Sequence, residues 1–259
     1  MRMLIFSRQV GFRFLALLST FLPVPSLGQD GHQLFQKMQS ALGGRDKIAA
    51  IKDYEQCVRA DAWNDDGKPH GEVHKRTRWI RPNVLRLDQV GPGNSYVLFF
   101  DGTSGWEVLP DKGFVPLAGD ELNYARGYLN GLDLNSWLAD KNTETVFTAS
   151  AHNMISVSTK DDDSSKTEIT LNTDTFLPEK ETVISMSGRG HPSVTRTRQF
   201  QGWQATQGVK FPRRIINFHG DKKVADIRVE ELKLDSGIKP EDLAVKPKDL
   251  KSDMAKCGR

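Results

Sequence analysis

Apolar positions along the chain change period twice. Leu34, Phe35, Met38 and Leu42, then Ile48 and Ile51, recur at helical spacing, so residues 30 to 52 read as helix, broken in two by Gly43-Gly44. From Asp53 the period becomes two. Tyr54, Gln56, Val58, Ala60 and Ala62 share one face, and Glu55, Arg59 and Asp61 take the other. Asn64-Asp65-Asp66-Gly67 is a turn. A strand over 71–81 follows, with Val73 and Trp79 opposite Glu72, His74, Arg76 and Arg78. In a strand over 84–90, Leu85 and Leu87 stand against Arg86 and Asp88. After the turn Gly91 to Asn94, the segment YVLFFDGTSGWEVLP (96–110) predicts strand, tight turn, strand, with Asp101-Gly102 and Gly105 supplying the turn.

Helical spacing returns after Pro116. Leu122, Ala125, Leu129 and Leu132 form an apolar stripe, with Tyr128 beside them and Trp137-Leu138 beyond, which predicts a helix over about 119–139. Gly127 and Gly131 weaken it by roughly 1 kcal/mol each relative to alanine, so it must pack on something or move. Seven strands are then expected at 143–149, 153–159, 166–172, 179–187, 194–204, 211–219 and 223–234. Their links are short, including Gly188-Arg189-Gly190, Gln207-Gly208 and Gly220-Asp221, so pairing is antiparallel. Ile227 and Val229 share a parity that Leu232 and Leu234 do not. That flip at Glu230-Glu231 predicts a β-bulge. About ten or eleven antiparallel strands must curl to hide their edges. The expected fold is mainly β (α+β): a strongly curved antiparallel sheet or unclosed barrel with an N-terminal helix and a helical lid.

The N-terminus changes how the charge is read. Arg2, Arg8 and Arg13 precede the apolar run Phe14–Leu22, then Pro23, Pro25 and the small residues around Ser26 and Gly28. This is the pattern of a secretory signal over 1–28, the apolar run being too short to span a bilayer comfortably. The leader carries three arginines and no acid, so its removal takes the formal +3 of the 259-residue chain to zero. Nucleic acid thereby loses its main support as a partner. No other segment approaches membrane-spanning length. Residues 29–247 are expected to form one domain, and 248–259 a polar, Lys-rich tail. Cys57 and Cys257 are the two cysteines. Export permits a disulfide between them, and nothing in their spacing decides between a bridge and free thiols.

Candidate chemistry is sparse. His70, Glu72 and His74 share a strand face, but Arg76 and Arg78 continue that face and would repel a cation. There is no Gly-x-Ser-x-Gly elbow, Gly91-Pro-Gly93 opens no helix, and Asp161–Asp163 lack EF-hand spacing. No catalytic set, metal or cofactor is expected, and the chain reads as a non-enzyme. The aromatic residues, spread over strands and the middle helix, fit either plain core packing or the lining of a cavity.

Several segments together carry a family resemblance: Ala41-Leu-Gly-Gly-Arg-Asp-Lys-Ile-Ala-Ala-Ile51, Phe100-Asp-Gly-Thr-Ser-Gly-Trp106 with Leu117-Ala-Gly-Asp-Glu-Leu122, and Leu171 to Pro178. The terminal run adds Phe200-Gln-Gly-Trp203, Gly208 to Pro212, Val229 to Leu234 and Ile238 to Leu243. In this order they resemble the bacterial outer-membrane lipoprotein-sorting, or Lol-type lipoprotein carrier, superfamily, of which this chain looks like a divergent member. The resemblance implies an unclosed antiparallel barrel with a helical lid over a hydrophobic cavity, exported to the periplasm or cell envelope. The implied partner is a lipid or an acylated lipoprotein, held by a monomer. The alternatives are an envelope protein-interaction or sensor module with no lipid cargo, or an envelope hydrolase. The residues expected to meet an apolar ligand are Leu122, Leu129, Leu132 and Trp137 on the lid, and Leu85, Leu87, Leu98 and Trp106 on the sheet. Each also fits ordinary core packing.

Overall fold

The computed structural model describes residues 30–250, apart from 65, 94 and 186–193, together with Ala255. The expected leader and the Gly188–Gly190 link lie outside the described residues.

Two helices open the described part of the chain, α1 (Gly31–Leu42) and α2 (Arg45–Ala50). Asp30 caps α1 by accepting from the His32 amide, and Gly43 and Gly44 separate the two helices at φ 127° and 103°. A side chain at Gly43 would also collide with the carbonyl of Gly208, so both conformation and space demand glycine.

Six strands follow: β1 (Asp53–Trp63), β2 (Pro69–Ile80), β3 (Val84–Val90), β4 (Tyr96–Phe100), β5 (Gly105–Leu109) and β6 (Gly113–Pro116). Next come α3 (Asp120–Asn130), α4 (Asp133–Ser136) and a short 3-10 turn at Ala139–Lys141, in place of the one long helix expected. The chain continues through β7 (Thr145–Ala151), β8 (Met154–Thr159), β9 (Asp162–Leu171), β10 (Pro178–Ser185) and β11 (Val194–Gln201). A two-stranded hairpin, β12 (Gln204–Thr206) and β13 (Val209–Phe211), precedes β14 (Arg214–His219), β15 (Lys222–Leu234) and the single turn α5 (Pro240–Leu243). Pattern reading runs β11 on to residue 204 and starts the next strand at 211. In the structure β11 pairs directly with β14, and the hairpin stands off the sheet to carry Val209 and Phe211 into the core.

Thirteen strands form one antiparallel sheet in the order β6-β5-β4-β3-β2-β1-β15-β14-β11-β10-β9-β8-β7. It is not closed: β6 and β7 are its two edges. β1 and β15 meet at the centre, and the register slips by one residue there. Cys57 faces Glu231 but Val58 faces Val229, so Glu230 is the extra residue of a bulge. That slip restores the parity that flips at Glu230-Glu231, keeping Ile227, Val229, Leu232 and Leu234 opposite Ala60, Val58, Gln56 and Tyr54, which share one face of β1.

The inner face carries the main core. Leu34, Phe35, Met38 and Leu42 of α1 pack with Trp79, Leu85, Leu87, Phe100, Ile155, Leu171 and Phe211, and most of these are fully buried. A smaller cluster lies on the other face: Val97, Phe99, Trp106, Val108 and Leu243. There the Arg86 guanidinium binds Asp88 and donates to the carbonyls of Leu243 and Val245, fastening the chain after β15 across the back of β3. Cys57 is buried and disulfide-bonded; the other cysteine in the sequence, Cys257, lies outside the described residues.

Phe35 tests how far the inner core depends on α1. It is fully buried and its ring centroid lies 4.5 Å from that of Phe147 on edge strand β7. Phe35→Ala is expected to cost about 3–5 kcal/mol in urea unfolding with the m-value unchanged. A loss below about 1 kcal/mol would mean that α1 is not integral to the core.

Candidate functional site

Sheet order decides what the middle helices do. The chain leaves the sheet at edge β6 and re-enters at the opposite edge β7, so residues 117–144 must cross between the two edges. They cross on the inner face, because Leu117, Ala125, Leu129, Leu134, Trp137 and Leu138 all join the inner core.

Its two ends are held differently. At the far end, Gln39 of α1 donates to the Trp137 carbonyl (2.9 Å) and to Asp140 (3.0 Å), and Arg45 pairs with Asp140 (2.9 Å). The Trp137 ring packs against Trp203 and Phe211, centroids 6.2 and 5.4 Å away. The near end is looser. α3 starts at Gly119 with no side-chain cap, buries only Ala125 and Leu129, and exposes Tyr124. Asn135 accounts for one open carbonyl at its other end by donating to Leu129 (2.8 Å).

Between the ends lies a charged latch. Arg198 of β11 and Glu181 of β10 are cross-strand partners with hydrogen bonds of 2.9 and 3.0 Å, and Arg198 also reaches Asp133 at the start of α4 (3.1 Å). Burial opposes the Arg198 charge, but Glu181 and Asp133 outweigh it and hold its pKa above the ordinary guanidinium value. Asp133 shifts the other way from a simple ion pair. Burial raises its carboxyl pKa, and Arg198, already engaged by Glu181, does not offset this. Burial and the Asp133 charge also push the Tyr54 hydroxyl well above its usual range. Asn217, opposite Arg198 on β14, keeps a buried oxygen with no hydrogen-bond partner.

A cleft of about 570 Å³ lies between α3 and the inner face of β2 to β5. Such a volume falls within the roughly 300–1,000 Å³ of small-ligand sites. Lys75, Gln89 and Tyr96 form one row across β2, β3 and β4, while Leu98 and Glu107 are partners in the next. Leu109, Leu117, Asp120, Glu121 and Tyr124 complete the lining.

Of the residues expected at an apolar site, Leu85, Leu87, Leu98, Leu129 and Trp137 are brought together in the inner core, at most 6% exposed, with Leu122 and Leu132 packed against them. Leu98 alone of these also lines the cleft. Trp106 is placed elsewhere. The turn between β4 and β5 holds four residues, with Asp101 accepting from the Thr103 and Ser104 amides, so Phe99 pairs with Trp106 and Leu98 with Glu107. Trp106 therefore stacks on Phe99 on the outer face, 5.5 Å between centroids. Lys75, Glu107, Asp133, Glu181 and Arg198 escaped the sequence reading. One signal for them was present: Lys75 shares strand parity with Val73 and Trp79, and Glu107 with Leu109, so each puts a charge on an apolar face.

His74 contacts Glu72 at 2.9 Å on the outer face, and Glu72 also pairs with Arg59 (3.4 Å). Among the described residues no three His, Cys, Asp or Glu side chains are grouped to hold a metal, and no helix is long and apolar enough to cross a membrane.

No family model and no curated protein matches the chain. Solved structures do. One is a LolA superfamily protein from Nitrosomonas europaea: TM-score 0.54, 14% identity, covering 84% of this chain and 98% of that one. Another is an outer membrane lipoprotein-sorting protein domain from Vibrio parahaemolyticus: 0.55, 10%, 83% and 97%. A third is a DUF1329 family protein from Desulfovibrio piger: 0.54, 13%, 81% and 93%. The chain has their fold over most of its length, in agreement with the resemblance legible in its sequence.

The latch has a pH signature. The folded pKa of Asp133 is raised above its unfolded value, so its contribution is fully present below the unfolded value of about 3.9 and is lost as pH rises through the folded value. Asn at this position cannot titrate. The stability deficit of Asp133→Asn, from urea melts, should therefore be largest near pH 4 and shrink toward pH 7. A deficit that grows with pH would reverse the assignment.

Proposed function

We propose that this chain is an exported carrier or binding protein of the cell envelope. It would take an apolar ligand, a lipid or the acyl chain of a lipoprotein, between the inner face of its open sheet and the α3–α4 segment. The observation that carries this reading is the asymmetric lid. One end is tied down by Gln39, Arg45 and Trp137, and the other is a short, uncapped helix over a cleft. Displacing α3 would uncover Leu98, Leu122 and Leu129 while leaving the anchored end in place. Each CH₂ then buried is worth roughly 0.8 kcal/mol, so a long chain binds without polar recognition of the chain itself. The neighbour described as a lipoprotein-sorting domain supports the same reading by its fold.

A non-enzymatic role agrees with charged side chains that are spent on one another at the latch. The second reading, an envelope interaction module, draws support from α1, whose side chains already fill the far half of the inner face.

Two measurements separate these readings. Native mass spectrometry of gently purified protein should show co-purified lipid, and Leu129→Glu should abolish uptake of a long-chain fluorescent probe while circular dichroism stays unchanged. Absence of lipid and of probe uptake in the native protein would favour the interaction module. Gly127→Ala has free space around its new methyl and should stabilise α3 by about 1 kcal/mol, read as slower amide exchange there. If uptake requires α3 to move, this variant should also take up the probe more slowly.

A further inference from the structure

The cleft under α3 holds charges on strand positions whose neighbours of the same parity are apolar or small. Lys75 is on the inner face, one residue pair away from Thr77 and two from Trp79, where the rest of β2 is apolar or small. Its ammonium hydrogen-bonds Tyr128 and sits 4.4 Å from that ring's centroid, with Tyr96 and Tyr124 beside it, and among the described residues no carboxylate pairs with it. Glu107 stands on the same face between Leu98 and the cleft wall, and it too has no ion-pair partner among the described residues. Burial first, and then the nearby Glu121 charge, raise its carboxyl pKa against the opposing pull of Lys112. Asp120 and Glu121 have a structural reason to be there, since acids favour the first turn of a helix. Glu107 and Lys75 lack that reason: Lys75 is met by Tyr128 and no carboxylate, and Glu107 feels the Lys112 charge without forming an ion pair among the described residues.

These two charges do not satisfy each other. They are three strands apart, about 14 Å across the sheet between backbones, which long side chains narrow but do not bridge. A ligand carrying one charge only would meet an opposing one: an anion on Lys75 would face Glu107 and Glu121, and a cation on Glu107 would face Lys75. A ligand carrying both, a few ångströms apart, satisfies both ends. Leu98, Leu109 and Leu117 lie between and beside them, suited to the first carbons of an attached chain.

We infer that this cleft is a headgroup subsite for a zwitterionic amphiphile, with Lys75 binding the phosphate or carboxylate, and Glu107 with Glu121 binding the ammonium. Tyr128 and Tyr96 position the lysine, and the ligand's tail enters the inner core past Leu98. The inference rests on the carrier reading for the tail, and adds the class of head.

The test presents the full-length mature protein with equal amounts of dioleoyl phosphatidylethanolamine, dioleoyl phosphatidylglycerol and dioleoylglycerol in detergent, and in a separate arm with free phosphoethanolamine. Bound species are read by native mass spectrometry. Phosphatidylethanolamine should exceed the other two by about tenfold, the worth of one charge-assisted hydrogen bond. Lys75→Met should erase the preference over dioleoylglycerol, and Lys75→Arg should keep it. Glu107→Gln with Glu121→Gln should erase the preference over phosphatidylglycerol, independently of any effect of the lysine variant on folding. Equal binding of all three lipids overturns the subsite and leaves the carrier reading standing. Binding of free phosphoethanolamine without any lipid supports the subsite and overturns the carrier reading. No binding in either arm overturns both.

Discussion

The pairing of β1 with β15 is the contact on which the rest of the molecule depends. It joins residues 163 to 180 positions apart, from Ala62 with Ala225 to Tyr54 with Leu234, and is the seam between an N-terminal half, β1 to β6, and a C-terminal half, β7 to β15. Its end is locked by side chains as well as by the ladder. Asp53 accepts from the Ser236 amide and hydroxyl and from the Gly237 amide, and Asp235 accepts from the Lys52 amide (2.7 Å). The bulge at Glu230 keeps apolar side chains on one face along the whole seam, since an unbulged ladder would turn either Val229 or Leu232 outward. With the two chain halves meeting at the centre, both free edges fall at the ends of the sheet. The segment that connects those edges has no route except across a face, so the lid is a consequence of the seam.

What lies beneath the lid is not a uniform apolar hollow. α1 fills one part of the inner face with fully buried side chains, and Trp137, Trp203 and Phe211 wedge the lid's far end against it. Polar groups then run along the crossing segment, from Lys75 and Tyr128 to Tyr54, Asp133, Arg198 and Glu181. Buried charges seldom stabilise a core relative to well-packed apolar groups, but removing one partner is costly. The latch therefore restricts where α4 can sit more than it strengthens the fold. The carboxyl of Asp133, underserved by an arginine that Glu181 already holds, is its weak member. The crossing segment is thus held by polar side chains at α4 and by only two buried residues at α3.

Much of this was legible beforehand, and the reasons are local. The break at Gly43-Gly44 follows from backbone conformations that only glycine adopts readily, and the bulge followed from a parity change within one strand. The apolar stripe of Leu122, Ala125 and Leu129 announced a helix that needs a surface to cover. Elsewhere period alone misled. The expected strands 194–204 and 211–219 absorb the two halves of the hairpin β12–β13, because residues leaving a sheet can keep the alternation of the strand beside them. Trp106 was placed with Leu98 because both are apolar. The four-residue turn between their strands sets the register that separates them.

The sequence by itself determined most of the elements, the antiparallel class, the bulge and the existence of an apolar-faced middle helix, since each arises from neighbours within a few residues. Tertiary structure alone decided which face is inner, that Lys75 and Glu107 share one cleft, and that Asp133 meets Arg198. Those outcomes depend on the register of strands distant in sequence. A shift of one residue turns every side chain to the other face, and no local pattern records which register the distant partner imposes.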